Sequence, residues 1–237
     1  MRSAFTPAAL AVIGAVAFAA PAAAEYDIAY MGLRGSYVMT EDSSTTGSLF
    51  FDYDHEYEDN GFGVGVFMGW ILDENFRLEV EGTYRSADLK QVTITRDDFF
   101  DPLVTINGDT IVVGGDAQSG AVMSNLYYDL NFFDGAILPW IGAGVGGVFV
   151  DYQIDATIED PNSPPDPYVL FDAKDNTWVV GYQFMAGVTF AVAEGTSMSI
   201  SYRFFQTEDF DYVDAFGESF KTDLTQHSVD LALQFHL

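Results

Sequence analysis

Few residues in this chain could do chemistry. Three histidines, His55, His227 and His236, are the side chains able to exchange protons near neutral pH. A serine-type esterase or deacylase would need Ser, His and an acid in mutual reach. His227 and Ser228 are sequence neighbours, and neighbours on a strand point to opposite faces. His55 has no recognisable nucleophile beside it. No catalytic residue is assigned, and the chain reads as non-enzymatic. Cysteine is absent, which excludes disulfides and thiolate metal or redox sites. The run Asp52-Tyr53-Asp54-His55-Glu56, followed by Glu58, offers oxygens at alternate positions, as a hard divalent cation would require. It lacks the glycine and spacing of an EF-hand loop. Asp52, Asp54, Glu56 and Glu58 stand as a divalent-cation candidate beside the plainer reading of a solvated acidic loop. No resident metal and no cofactor is expected.

Composition bounds what must position such residues. Among 237 residues, 36 Asp+Glu oppose 9 Lys+Arg, for a net charge of −27. Yet 49% of the chain is hydrophobic and 16% aromatic. That hydrophobicity rules out disorder, and the acidity rules out nucleic acid, whose footprint is basic. Beyond the N-terminus no apolar run approaches the ~20 residues of a membrane-spanning helix.

Residues 1–24 read as a secretory signal peptide. Arg2 is the positive start, Ala8 to Ala20 the apolar stretch, and Ala22-Ala23-Ala24 a small-residue cleavage site. The mature chain is expected to be 25–237, exported and cleaved.

The mature chain has a period of two. Val229, Leu231, Leu233, Phe235 and Leu237 alternate with Ser228, Asp230, Ala232, Gln234 and His236. Trp178 to Val192 repeats the pattern, with Gly181, Gln183, Gly187 and Thr189 on its polar face. In all, eight strands are predicted, over 28–39, 62–72, 76–84, 122–132, 140–151, 178–192, 198–204 and 224–237. Their lengths suit a bilayer crossed at a barrel tilt. Tight turns at 73–75, 133–135 and 194–196 alternate with long connections at about 40–60, 88–119, 152–176 and 206–223. Outer-membrane barrels segregate loop length this way, with short periplasmic turns and long external loops.

Residue size orients the faces. Large side chains on every strand would overfill an eight-stranded lumen, so the apolar face points to lipid and the Gly- and Ser-rich face inward. The fold expected is all-β: an eight-stranded antiparallel up-and-down transmembrane barrel. A lipocalin-like soluble barrel is the inverted alternative. Arg34, Arg77, Glu79, Glu81, Arg85, Asp129, Arg203 and Asp230 fall on the inward face. Charges buried there must be paired, so they are read as a lumen charge network. Acidic residues gather in the long loops as an external crown, near anionic lipopolysaccharide.

With these features the chain resembles the small eight-stranded outer-membrane proteins of the OmpA-barrel and opacity type, especially the alphaproteobacterial surface-antigen family. The resemblance is carried by Tyr30-Met31-Gly32-Leu33-Arg34-Gly35-Ser36-Tyr37, by Pro139-Trp140-Ile141-Gly142-Ala143-Gly144-Val145-Gly146 and by the alternating C-terminal strand. It implies a Gram-negative outer membrane, with lipid, lipopolysaccharide and the barrel-assembly machinery as partners beside an unknown surface partner. It also implies a structural, surface-antigen or adhesin-like role, with a narrow porin-like channel as the alternative. Some relatives bind haemin, and no residue pattern here carries that over. The chain departs from the family at its end, Gln234-Phe235-His236-Leu237, where these barrels usually close on an aromatic residue.

Overall fold

Alternation of side chains makes each strand one wall of a two-sided sheet, and eight such walls close on themselves. The computed structural model describes residues 29–41, 43–45, 51–57, 61–97, 110–111, 113–131, 137–158, 168–213 and 219–237. Side chains are described within 29–41, 61–87, 118–131, 137–151, 176–210 and 221–237. The predicted signal peptide and the predicted turn at 133–135 lie outside these residues.

The barrel strands are β1 (Ala29–Thr40), β2 (Gly61–Ile71), β3 (Phe76–Asp97), β4 (Val113–Asp129), β5 (Ile137–Ile158), β6 (Tyr168–Ala193), β7 (Thr196–Thr207) and β8 (Thr225–His236). Each pairs antiparallel with the next, and β8 pairs back onto β1 from Tyr30↔His236 to Thr40↔Gln226. No sheet edge is left inside the ring, which removes the unpaired backbone groups that hydrocarbon could not satisfy. The described residues contain no helix.

Register sets the stagger. Cross-strand partners followed once around from Tyr30 run through Gly69, Glu79, Asn125, Gly144, Gln183, Phe205 and Gln226 to Thr40, ten residues further along β1. Strands in a closed barrel must tilt to absorb such an offset.

Short turns close one end. Asp73 Oδ1 accepts hydrogen bonds from the backbone N–H of Asn75 (2.8 Å) and Phe76 (2.7 Å), an Asx turn. Gly195 turns the chain between β6 and β7 with φ of 67°, which only glycine adopts freely. At the other end the long connections contain more strand than predicted. β5 and β6 run for 22 and 26 residues and stay paired out to Ile158↔Tyr168. A membrane strand needs only ~9–11 residues, so the ladder continues past the lipid. Phe51–Tyr57 extends the same end by pairing onto β3, Ser43–Thr45 pairs onto Phe51–Tyr57 in turn, and Phe210–Val213 pairs with Ser219–Thr222. Past the lipid no apolar face is demanded, so alternation fades while the ladder persists.

The outer face is apolar. Leu33, Phe62, Val64, Leu126, Ile141, Val145, Trp178, Phe184, Ile200 and Leu231 are all exposed. Among described side chains, the outward positions of the eight strands carry no Asp, Glu, Lys or Arg except Asp151 near the far end. A soluble monomer rarely exposes a contiguous apolar patch beyond a few hundred Å². A belt around the whole barrel needs lipid.

The inner face departs from the small-residue lining expected. Tyr30, Phe67, Tyr127 and Trp140 all point inward and are buried. Each lies over a glycine of a neighbouring strand. A Cβ on Gly69 would come within 2.2 Å of the Tyr30 ring, and one on Gly32 within 2.3 Å of Phe67. Gly142 lies under Tyr127 and Gly187 under Trp140 in the same way. The inward glycines therefore make room for large rings instead of leaving an open channel.

Candidate functional site

The eight charges assigned to the lumen all lie there, each no more than 7% exposed. Odd positions of β3 face inward, which stacks Arg77, Glu79, Glu81, Thr83 and Arg85 from the short-turn end upward. β1 supplies Arg34, β4 Asp129, β7 Arg203 and β8 Asp230.

At the short-turn end Arg77 grips Asp129 with a two-pronged bond, Nε to Oδ2 at 2.7 Å and Nη2 to Oδ1 at 2.8 Å. Its Nη1 donates to the Tyr30 hydroxyl at 3.2 Å. The guanidinium sits over the Tyr127 ring, 5.0 Å from its centroid. Such forks hold both partners in plane as well as attracting them.

Glu79 and Glu81 occupy the middle. Glu79 accepts from Tyr127 Oη (3.0 Å), Tyr30 Oη (3.3 Å) and Arg34 Nη2 (3.2 Å). Glu81 accepts from Arg34 Nη1, Arg203 Nη1, Arg203 Nη2 (3.2 Å) and Gln183 Nε2 (2.8 Å). Asp230 accepts from Arg203 Nε (2.9 Å) and Ser228 Oγ (2.8 Å). Gln183 ties in β6 by donating to Asn125 Oδ1 (2.6 Å) on β4 and accepting from Arg203 Nη1 (2.7 Å). Tyr30, Asn125, Tyr127 and Gln183 were not among the site residues read from sequence. Their inward parity was visible, but their partners on strands one to three places away were not.

Arg85 stands apart. Its guanidinium lies 4.2 Å from the centroid of Phe205, and no carboxylate among the described residues forms an ion pair with it. Beside it, Val148, Val150, Phe205, Phe210 and Leu224 form a buried apolar cluster with Ala121 and Met123.

Chemically the network is a set of cross-links. Arg34, Arg77 and Arg203 engage four carboxylates in a buried interior, where unpaired charge is costly and paired charge is rigid. Ser228 points inward and bonds Asp230, while His227 points outward at the far rim. His227 Nε2 lies 2.6 Å from Glu41 Oε1, and its Nδ1 bonds the Tyr202 hydroxyl. Closure of β8 onto β1 brings His227 to Glu41, a contact with no local sequence signal. His236 bonds Ser197 Oγ at 3.1 Å. Asp52, Asp54 and Glu56 lie on the strand Phe51–Tyr57 instead of in an open loop, as does His55. Their side chains, and all of Glu58, lie outside the described residues. Among the described residues no group of three or more His, Asp or Glu could hold a metal ion.

Comparison with known proteins adds a family and a set of folds. The outer membrane protein beta-barrel domain family matches residues 8–235. No curated protein sequence matches. Among solved structures, the outer membrane protease OmpT from Escherichia coli is similar at 7% identity and a TM-score of 0.55, covering 92% of this chain and 99% of that one. Neisserial surface protein A is similar at 12% identity and a TM-score of 0.46, covering 87% and 96%. Ail, the attachment invasion locus protein of Yersinia pestis, is similar at 10% identity and a TM-score of 0.37, covering 87% and 98%. At such identities the likeness is one of fold.

Proposed function

The chain belongs to the outer-membrane β-barrel family, and from that premise we propose that it is a non-catalytic integral protein of the cell outer membrane with a structural or surface-interaction role. The observation that carries this reading is the lumen. Arg34, Arg203, Glu79, Glu81 and Asp230 bridge it at mid-height, with Tyr30, Phe67, Tyr127 and Trp140 filling the space around them. A solute would have to break buried ion pairs to pass. What the chain presents to the outside is then its business end: the extended hairpins and the acidic residues concentrated in 40–60, 152–176 and 206–223. Export through a cleaved signal peptide, assembly by the barrel machinery and contact with lipopolysaccharide belong to the same reading.

Planar-bilayer recording of the refolded protein tests it. The reading expects no discrete conductance steps. Reproducible single-channel steps from wild-type protein would overturn it in favour of a narrow porin-like channel.

A further inference from the structure

We propose that the half of the lumen nearer the long connections contains a binding site for a small carboxylate anion, built on Arg85. Three of the four lumen arginines are committed to carboxylates. Arg34 contacts Glu79, Glu81 and Asp230, Arg203 contacts Glu81 and Asp230, and Arg77 contacts Asp129. These acids are thereby engaged, and none lies within 4.0 Å of Arg85. Arg85 is nonetheless 3% exposed, and its Nη1 is buried with no hydrogen-bond acceptor from the chain. A guanidinium stays charged at any physiological pH. Buried without an ion-pair partner among the described residues, it keeps a large desolvation penalty.

The surroundings suit an anion at this guanidinium. Phe205 holds the cation against its ring face at 4.2 Å, a cation–π contact that offsets part of the burial and leaves the N–H edge for an acceptor. Thr83, one inward step nearer the turns, has a buried hydroxyl that also lacks a partner. Across the ladder Arg85 is paired with the buried Ser119 on β4 and with Gly63 on β2, which adds no side chain. The arginine fork matches the two oxygens of a carboxylate better than a spherical halide. The narrow lumen limits the ligand to about the size of acetate.

The test uses refolded protein in detergent micelles, titrated with sodium acetate, sodium chloride and sodium gluconate at equal ionic strength. Arg85 Nε–H and the amides of Thr83 and Ser119 are followed by ¹⁵N NMR. Acetate should give saturable shifts confined to these signals, and gluconate, too large to enter, should give none. Arg85→Gln should weaken acetate about tenfold or more, while Lys221→Gln, at an exposed lysine, should titrate as wild type. Should Arg85→Gln fail to fold, wild-type protein decides alone: its thermal midpoint should rise with acetate relative to gluconate. Equal midpoints in the two salts, or saturable shifts that survive Arg85→Gln, would overturn the site. Chloride saturating the same signals as tightly as acetate would overturn the carboxylate assignment.

Discussion

Arg203 and Glu81 meet across the full width of the barrel. β7 and β3 stand four places apart in a ring of eight, yet Arg203 Nη2 lies 3.2 Å from Glu81 Oε2 while its Nε holds Asp230 at 2.9 Å. The contact is a strut between opposite walls. The ten-residue stagger brings an upper position of β7 level with the middle of β3, and an arginine is long enough to span what remains. Arg34 reaches the same carboxylate from a third strand.

Removing the shared acceptor should therefore cost more than losing one bond. Glu81→Gln leaves two buried guanidinium groups short of charge and should destabilise the barrel by about 3–5 kcal/mol, read from urea unfolding in micelles. Arg203→Met should also destabilise it, and the double variant should cost less than the two single losses together, because the residues share one network. Additive losses would show that the strut is not a coupled unit.

Glycine positions separate room for a ring from ordinary space. Gly69→Ala would press a Cβ to within 2.2 Å of Tyr30, whose hydroxyl is held by Glu79 and Arg77. It should cost about 1–3 kcal/mol. Gly35, on the lipid side of β1, has nothing within 4 Å of such a Cβ, and Gly35→Ala should be near neutral. Equal effects would contradict the packing of Tyr30 over Gly69.

Much of this was legible in sequence, for a definite reason. Period two assigns a face to every residue, so Arg34, Arg77, Glu79, Glu81, Arg85, Asp129, Arg203 and Asp230 could be sent to the lumen without coordinates. Which charges meet was not legible, because pairing depends on the stagger accumulated around the ring, and no single strand carries that quantity. Size misled in one respect. The inward face was expected to be lined by small residues, yet Tyr30, Phe67, Tyr127 and Trp140 fit there because Gly69, Gly32, Gly142 and Gly187 lie beneath them. The strand extensions at Lys90 to Asp97 and at 152–158 were also missed, because outside lipid a paired strand needs no apolar stripe.

The lipid face makes a third expectation. Leu231 is 53% exposed midway along β8 among apolar neighbours. Leu231→Arg should cost about 2–4 kcal/mol when folding is measured into lipid vesicles. The same change would be nearly silent if that face met water.

The most direct measurement concerns where the folded chain resides and whether its ring is closed. Cells expressing the protein should be fractionated, and the membrane fraction run on a detergent gel with and without boiling. The account predicts protein in the outer-membrane fraction that changes mobility only after boiling, because a closed eight-strand ladder resists cold detergent. Soluble periplasmic protein with one mobility under both conditions would contradict it.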